Sequence, residues 1–203
     1  MRLLLERPRK ALPKPRWTNI LKTLAQTTFM WGTFLWALPQ AIVWLERMLL
    51  IPGFQPTGYL GWAIFFVAGT IGLTCGLLFA VHGDGTPLPL DTANNLVILG
   101  PYRHIRNPMA TMGIIQGIAV GIMLGSCSVV VYSLIGGVVW HTLARPWEEA
   151  DLVDRFGDEY CNYRTSVPLW YPRIKPYRPV ENEPIPDISA RTHHAIPDDA
   201  AQP

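Results

Sequence analysis

Four apolar blocks, separated by polar segments that carry nearly all the basic residues, constrain this chain more than any other feature. They run near 24–50, 58–81, 109–126 and 127–144. Each is long enough, or nearly so, for the roughly 17–25 residues that cross a bilayer as a helix. A hydrocarbon core offers the backbone no water, so blocks of this kind fold as helices. The expected fold is an all-α membrane protein with about four transmembrane helices and a cytosolic C-terminal helical and loop segment. A hydrophobic content of 49%, 8 Trp and a mean hydropathy of +0.18 agree with it.

Charge sets the orientation. Of 17 Lys and Arg residues, all but Arg47 lie in the N-terminal arm, in the loop before the third block, or after Ala144. With four spans these regions share one side, which the positive-inside rule makes cytosolic. The arm, 1–23, is either a topology signal or a cationic apron on anionic headgroups. A bacterial inner membrane and an endoplasmic reticulum membrane fit equally well. The first block exceeds the apolar region of a signal peptide and reads as a retained span. A net charge of +2 is too small to suggest a nucleic-acid partner. Cys75, Cys127 and Cys161 match no metal spacing, and their odd number argues against a disulfide framework. No metal site is expected, and the oligomeric state is left open.

The domain expected from this pattern spans 24–178, between the basic arm and a polar tail, 179–203, expected to be disordered. Pro39 is expected to kink the first span. Glu46 and Arg47, near its far end, reach the interface or pair with each other. Gly69, Gly72 and Gly76 form a small-residue seam in the second span. Gly125-Ser126 is the natural turn between the third and fourth blocks, which make a tight helical hairpin or, alternatively, two re-entrant segments. Beyond Ala144, Leu152, Phe156 and Tyr160 recur every four residues as an apolar stripe on a helix that lies on the membrane or caps the bundle. Gly157 weakens or splits that helix. Trp170, Tyr171 and Tyr177 suggest an interfacial anchor.

Chemistry concentrates in two cytosolic segments, 82–108 and 145–172. In the first, Gly83-Asp84-Gly85 lets backbone approach a ligand or simply makes a turn. Arg103 and Arg106 suit a carboxylate. Asn107-Pro108 can start a helix, with Asn as cap and Pro at the first position. At the junction with the second segment, His141, Arg145, Glu148 and Glu149 fall on one face if the helix continues through Pro146. A histidine inside a membrane helix is either functional or hydrogen-bonded within the bundle. Adjacent carboxylates point in different directions, so Glu148 and Glu149 are not a proton-sharing dyad. One can take ligand hydroxyls or an amine while the other pairs with arginine; alternatively both are acids at a solvated helix start.

These residues also carry a family resemblance. The order Gly-x-Gly-Thr-Pro, then Leu-Val-x-x-Gly-Pro-Tyr-Arg-x-x-Arg-Asn-Pro, an apolar hairpin, Glu-Glu-x-x-Leu-x-x-x-Phe-Gly-x-x-Tyr-x-x-Tyr and Val-Pro resembles the isoprenylcysteine carboxyl methyltransferase and phospholipid methyltransferase superfamily. It covers about Val81 to Pro172. The resemblance implies an integral membrane enzyme that uses S-adenosylmethionine in a cytosolic pocket. Its substrate, a lipid-like or prenylated small molecule, enters from the bilayer. By motif, Gly83 and Gly85 approach the cofactor. Tyr102, Arg106, Asn107 and Pro108 line its pocket, and Glu148 and Glu149 complete the contacts. Two positions depart from the pattern: Asn107 stands where the family usually has His, and Ala110 where it often has Tyr.

Methyl transfer of this kind asks the protein for in-line alignment. A carboxylate acceptor needs a cation to orient it, for which Arg106 and Arg145 are candidates. An amine must lose a proton, which His104 or His141 can accept. A thiol is the third possibility. The alternative function is a non-catalytic membrane protein of the same fold, acting in assembly, transport or regulation. A transporter proper fits poorly, because few polar groups lie within the spans and no repeat is visible.

Overall fold

The computed structural model describes residues 15–86 and 94–179. Most of the basic arm, the segment 87–93 and the tail from 180 onward, with the expectation of disorder there, lie outside the described residues. Helix α1 spans Arg16–Met48, 33 residues or about 50 Å. It starts eight residues before the apolar block does. Its first turns are amphipathic, with Asn19 and Thr23 buried among otherwise exposed residues, and hydropathy does not register such a start. The expected disturbance at Pro39 takes a specific form. Proline lacks the amide hydrogen and its ring crowds the carbonyl one turn back. The helix widens to π geometry over Trp31–Ala37, just before it.

Helix α2, Gly58–His82, is 25 residues long. Helix α3, Pro108–Leu124, has only 17, about 25 Å, slightly less than the roughly 30 Å hydrocarbon thickness. The two form the most extensive helix pair. Close approach is possible because Gly61 faces the Ala119 carbonyl and Met123, and Gly72 faces Met112. Gly125 then turns the chain at φ 66°, and the Ser126 hydroxyl accepts the Val129 amide at 3.0 Å to cap helix α4, Cys127–Val139. A second widened turn, Trp140–Ala144, precedes Pro146 as the first precedes Pro39, and leads into the polar helix α5, Arg145–Ser166. Gly157, at φ 51° and ψ −128°, breaks α5. The hairpin of α3 and α4 is thus made of full helices.

At the end of the bundle away from the basic segments, the Phe54 amide donates to the Gly125 carbonyl at 2.9 Å. Glu46, expected to reach the interface or to pair with Arg47, accepts the Ser128 amide at 3.3 Å in the first turn of α4. Three helical stretches, Arg16–Met48, Gly58–His82 and Cys127–Ser166, are long and apolar enough to cross a membrane, and α3 is a shorter apolar fourth. Phe29, Trp36, Phe66 and Leu143 point outward, 62% to 70% exposed. Outward apolar surface of this extent suits lipid as the surrounding solvent.

At the basic end, the chain after α5 folds back onto the loop before α3. Extended, proline-rich segments cannot satisfy their own backbone, so they pair with each other. The Arg106 amide donates to the Pro168 carbonyl (2.9 Å), the Arg173 amide to His104 (2.9 Å) and the Tyr177 amide to Arg103 (2.8 Å). This corrects the expected interfacial anchor. Tyr177 is buried against Tyr163, ring centroids 5.6 Å apart, and Trp170 packs on Trp140; of the three aromatics only Tyr171 is exposed.

Candidate active site

The junction of α2, α3 and α5 with the loop before α3 encloses a cavity of about 500 Å³. That is within the roughly 300–1,000 Å³ usual for small-molecule sites. Phe79, Val97, Met109 and Ala110 line it, as do Leu152, Phe156 and Tyr160 from the stripe of α5. The stripe therefore does two things: it packs on Ile98 and Leu96, and it lines the cavity.

The charged groups lie where this apolar space meets the polar segments. Arg106 Nη1 is 2.7 Å from Glu149 Oε1, both side chains 13% exposed. Arg145 Nε reaches the same oxygen at 3.2 Å from one turn earlier on the helix. Glu149 is thus the carboxylate that pairs with arginine, and it pairs with two. Asp151 is paired with Arg155 at 3.0 Å. Glu148 also lines the cavity and, among the described residues, takes part in no ion pair. Burial pushes its carboxyl up to about 7, and the neighbouring Glu149 and Asp151 carboxylates push in the same direction. Arg106 Nε is buried with no hydrogen-bond partner among the described residues.

The other residues expected at the site divide into two groups. Tyr102, Asn107 and Arg145 line the cavity. Asn107 Oδ1 accepts the Ala110 amide at 2.9 Å, so its oxygen is committed to capping α3. Tyr102 is fixed by the Tyr163 hydroxyl, which donates to its carbonyl at 2.7 Å, and burial pushes the Tyr102 hydroxyl well above its usual range. Pro108 is buried at the first position of α3 and does not border the space. Gly83 and Gly85 are buried but do not border it either; the neighbouring Thr86 does. The left-handed backbone of that loop falls on Asp84, at φ 53°, and not on Gly83, at φ −80°.

Neither His104 nor His141 is among the residues that line the cavity. His141 Nδ1 accepts the Trp170 indole N–H at 3.1 Å, and Arg145 Nη1 lies 3.3 Å from its Nε2. His104 Nδ1 sits 2.8 Å from the Arg173 carbonyl. Sequence reasoning missed Asn95, Trp147 and Asp151 on the cavity wall. The i, i+4 pairing of Asp151 with Arg155 was a usable signal for one of these. Trp147, next to Glu148 on α5, was open to the same neighbourhood reasoning; for Asn95, in the loop before α3, there was no such signal.

Apolar helices, with a cavity beside them that is bordered by paired charges, define a class: a helical membrane protein with a candidate small-molecule site. The family model of phospholipid methyltransferases matches residues 57–159, half of the chain. The protein belongs to that family, and so to a group of membrane methyltransferases whose substrates are lipids. No curated protein matches the chain.

Proposed function

We propose that this protein transfers a methyl group from S-adenosylmethionine to a lipophilic acceptor held in the membrane, at the cytosolic face. The observation that carries this reading is the cavity itself, which joins an apolar wall from the membrane helices to an unpaired carboxylate and a buried, partly unpaired guanidinium. The acceptor group is a carboxylate, amine or thiol on a lipid. The family's lipid chemistry and the outward apolar surface support a substrate drawn from the bilayer.

The donor set fits the cofactor. A carboxylate of the ligand suits the unpartnered Arg106 Nε, with Arg145 beside it; an ammonium or ribose hydroxyl suits Glu148; an adenine face suits Trp147 and Phe156. When bound, the cofactor supplies an already activated methyl group. The protein's part is to position groups and exclude water. Glu149 holds the two arginines, Asn107 and Pro108 set the start of α3, and Phe79, Met109 and Ala110 keep the acceptor side dry. With the basic segments cytosolic, both termini lie on that side.

Incubating membranes that contain the protein with methyl-labelled cofactor, then separating the lipids, tests the reading. A labelled lipid that disappears with Glu148→Ala supports it. Failure of the detergent-purified protein to bind the cofactor would leave a non-catalytic member of the family.

A further inference from the structure

A second cavity, about 250 Å³, lies within the bundle between α1, α2 and α3. Trp31, Phe34 and Leu35, from the widened turn of α1, form one wall, and Leu73 of α2 faces them. Met109 borders this space and the larger cavity alike, so the two adjoin at that side chain. Phe34 is 46% exposed and stands where the space meets the outer apolar surface.

Two lining residues are polar, the half-buried Thr27 and the buried Gln116, and the second is out of place in a largely apolar void. Gln116 is 2% exposed, and its Nε2 has no hydrogen-bond partner among the described residues. A buried amide left unpaired is costly, whereas an aliphatic side chain of similar size would fill the place without that cost. Gln116 follows Met109 by seven residues, about 10 Å along α3 and deeper into the bilayer. An ester lipid carries its carbonyl oxygens below its polar end by a distance of that order. A prenyl chain carries no oxygen there.

We propose that this second cavity takes the upper part of the acceptor lipid's acyl chain and that Gln116 donates a hydrogen bond to the ester carbonyl. Gln116 is then a specificity-determining residue that distinguishes ester-linked from ether-linked or unbroken hydrocarbon tails. The inference rests on the methyl-transfer reading for its choice of ligand, but its test needs no methyl transfer.

The test is photolabelling of the full chain in bilayer discs with a diacyl lipid bearing a diazirine high on one chain, followed by mapping of the labelled peptides. Label is expected on Trp31, Phe34 and Met109. Unlabelled ester lipid should compete several-fold better than its ether-linked counterpart. Gln116→Leu should keep the label and abolish that preference. Leu73→Trp, which fills the space, should remove the label from Met109 while leaving cofactor binding intact. Label confined to outward residues such as Phe29 and Trp36, equal competition by ester and ether lipids, or unchanged labelling in Leu73→Trp would overturn the proposal. Intact labelling in a protein that methylates nothing would support the site and count against the methyl-transfer reading alone.

Discussion

Arg106 Nη1 and Glu149 Oε1 stand 2.7 Å apart although 43 residues separate them in the chain. The contact joins the loop before α3 to the N-terminal part of α5, and with Arg145 it makes a three-member charge cluster centred on one carboxylate.

Removing that carboxylate should therefore do more harm than removing any one arginine. Glu149→Ala leaves two guanidiniums facing each other with their shared partner gone. Breaking a buried pair in this way costs about 3–5 kcal/mol, and with 13% of each side chain exposed the lower end applies. Thermal unfolding in detergent should show a clear loss, and cofactor binding should fall with it. Arg145→Ala should cost less, because Arg106 keeps the shorter bond.

Glu148 should make cofactor binding depend on pH near neutrality. Its carboxyl is pushed up to about 7 by burial and by Glu149 and Asp151. A ligand ammonium needs the carboxylate, so affinity should rise about tenfold per unit as pH climbs toward 7 and level off above it. The effect on stability has the opposite sign. A carboxyl with a raised folded pKa binds more protons folded than unfolded, so the empty protein loses stability as pH rises from 4.5 to 7. Glu148→Gln should flatten both profiles, in isothermal titration and in thermal melts. A pH-independent wild-type affinity would remove Glu148 from the binding role.

Asn107 should behave as a helix cap. Asn107→Ala loses the bond to the Ala110 amide and should cost about 1 kcal/mol. Asn107→Asp, which keeps an acceptor at that place, should restore most of it. If Asp restores stability but not methyl transfer, the amide nitrogen of Asn107 also serves the reaction.

The three cysteines report the topology. Cys127 is exposed at the start of α4, at the end of the bundle away from the basic segments; Cys161 is partly exposed on α5; Cys75 is buried. An impermeant maleimide should label Cys127 from the extracytosolic side and Cys161 from the cytosolic side, and should leave Cys75 unlabelled. Labelling of Cys127 and Cys161 from the same side would contradict the four-span orientation.

Much of the fold was legible because bilayer physics writes itself into composition. The four apolar blocks, the Gly125-Ser126 turn and the break at Gly157 are all local properties of the chain. The early start of α1 was hidden, because Asn19 and Thr23 look like loop residues until their face is buried. The anchor expected from Trp170, Tyr171 and Tyr177 misread Tyr177, which serves a core. Periodicity identified the apolar stripe of α5 but not that its far side would line a cavity.

The amino-acid sequence by itself determined the membrane class, the span pattern, the Asn107-Pro108 helix start and the family motifs, since each depends on residues close together in the chain. Only the tertiary structure decided that Glu149 takes both arginines while Glu148, among the described residues, joins no ion pair, that His104 and His141 bond elsewhere and do not line the cavity, and that Gln116 is buried beside a void. These outcomes depend on which groups meet across the bundle. Charge pairing and desolvation act over a few ångströms of space, whatever the distance along the chain.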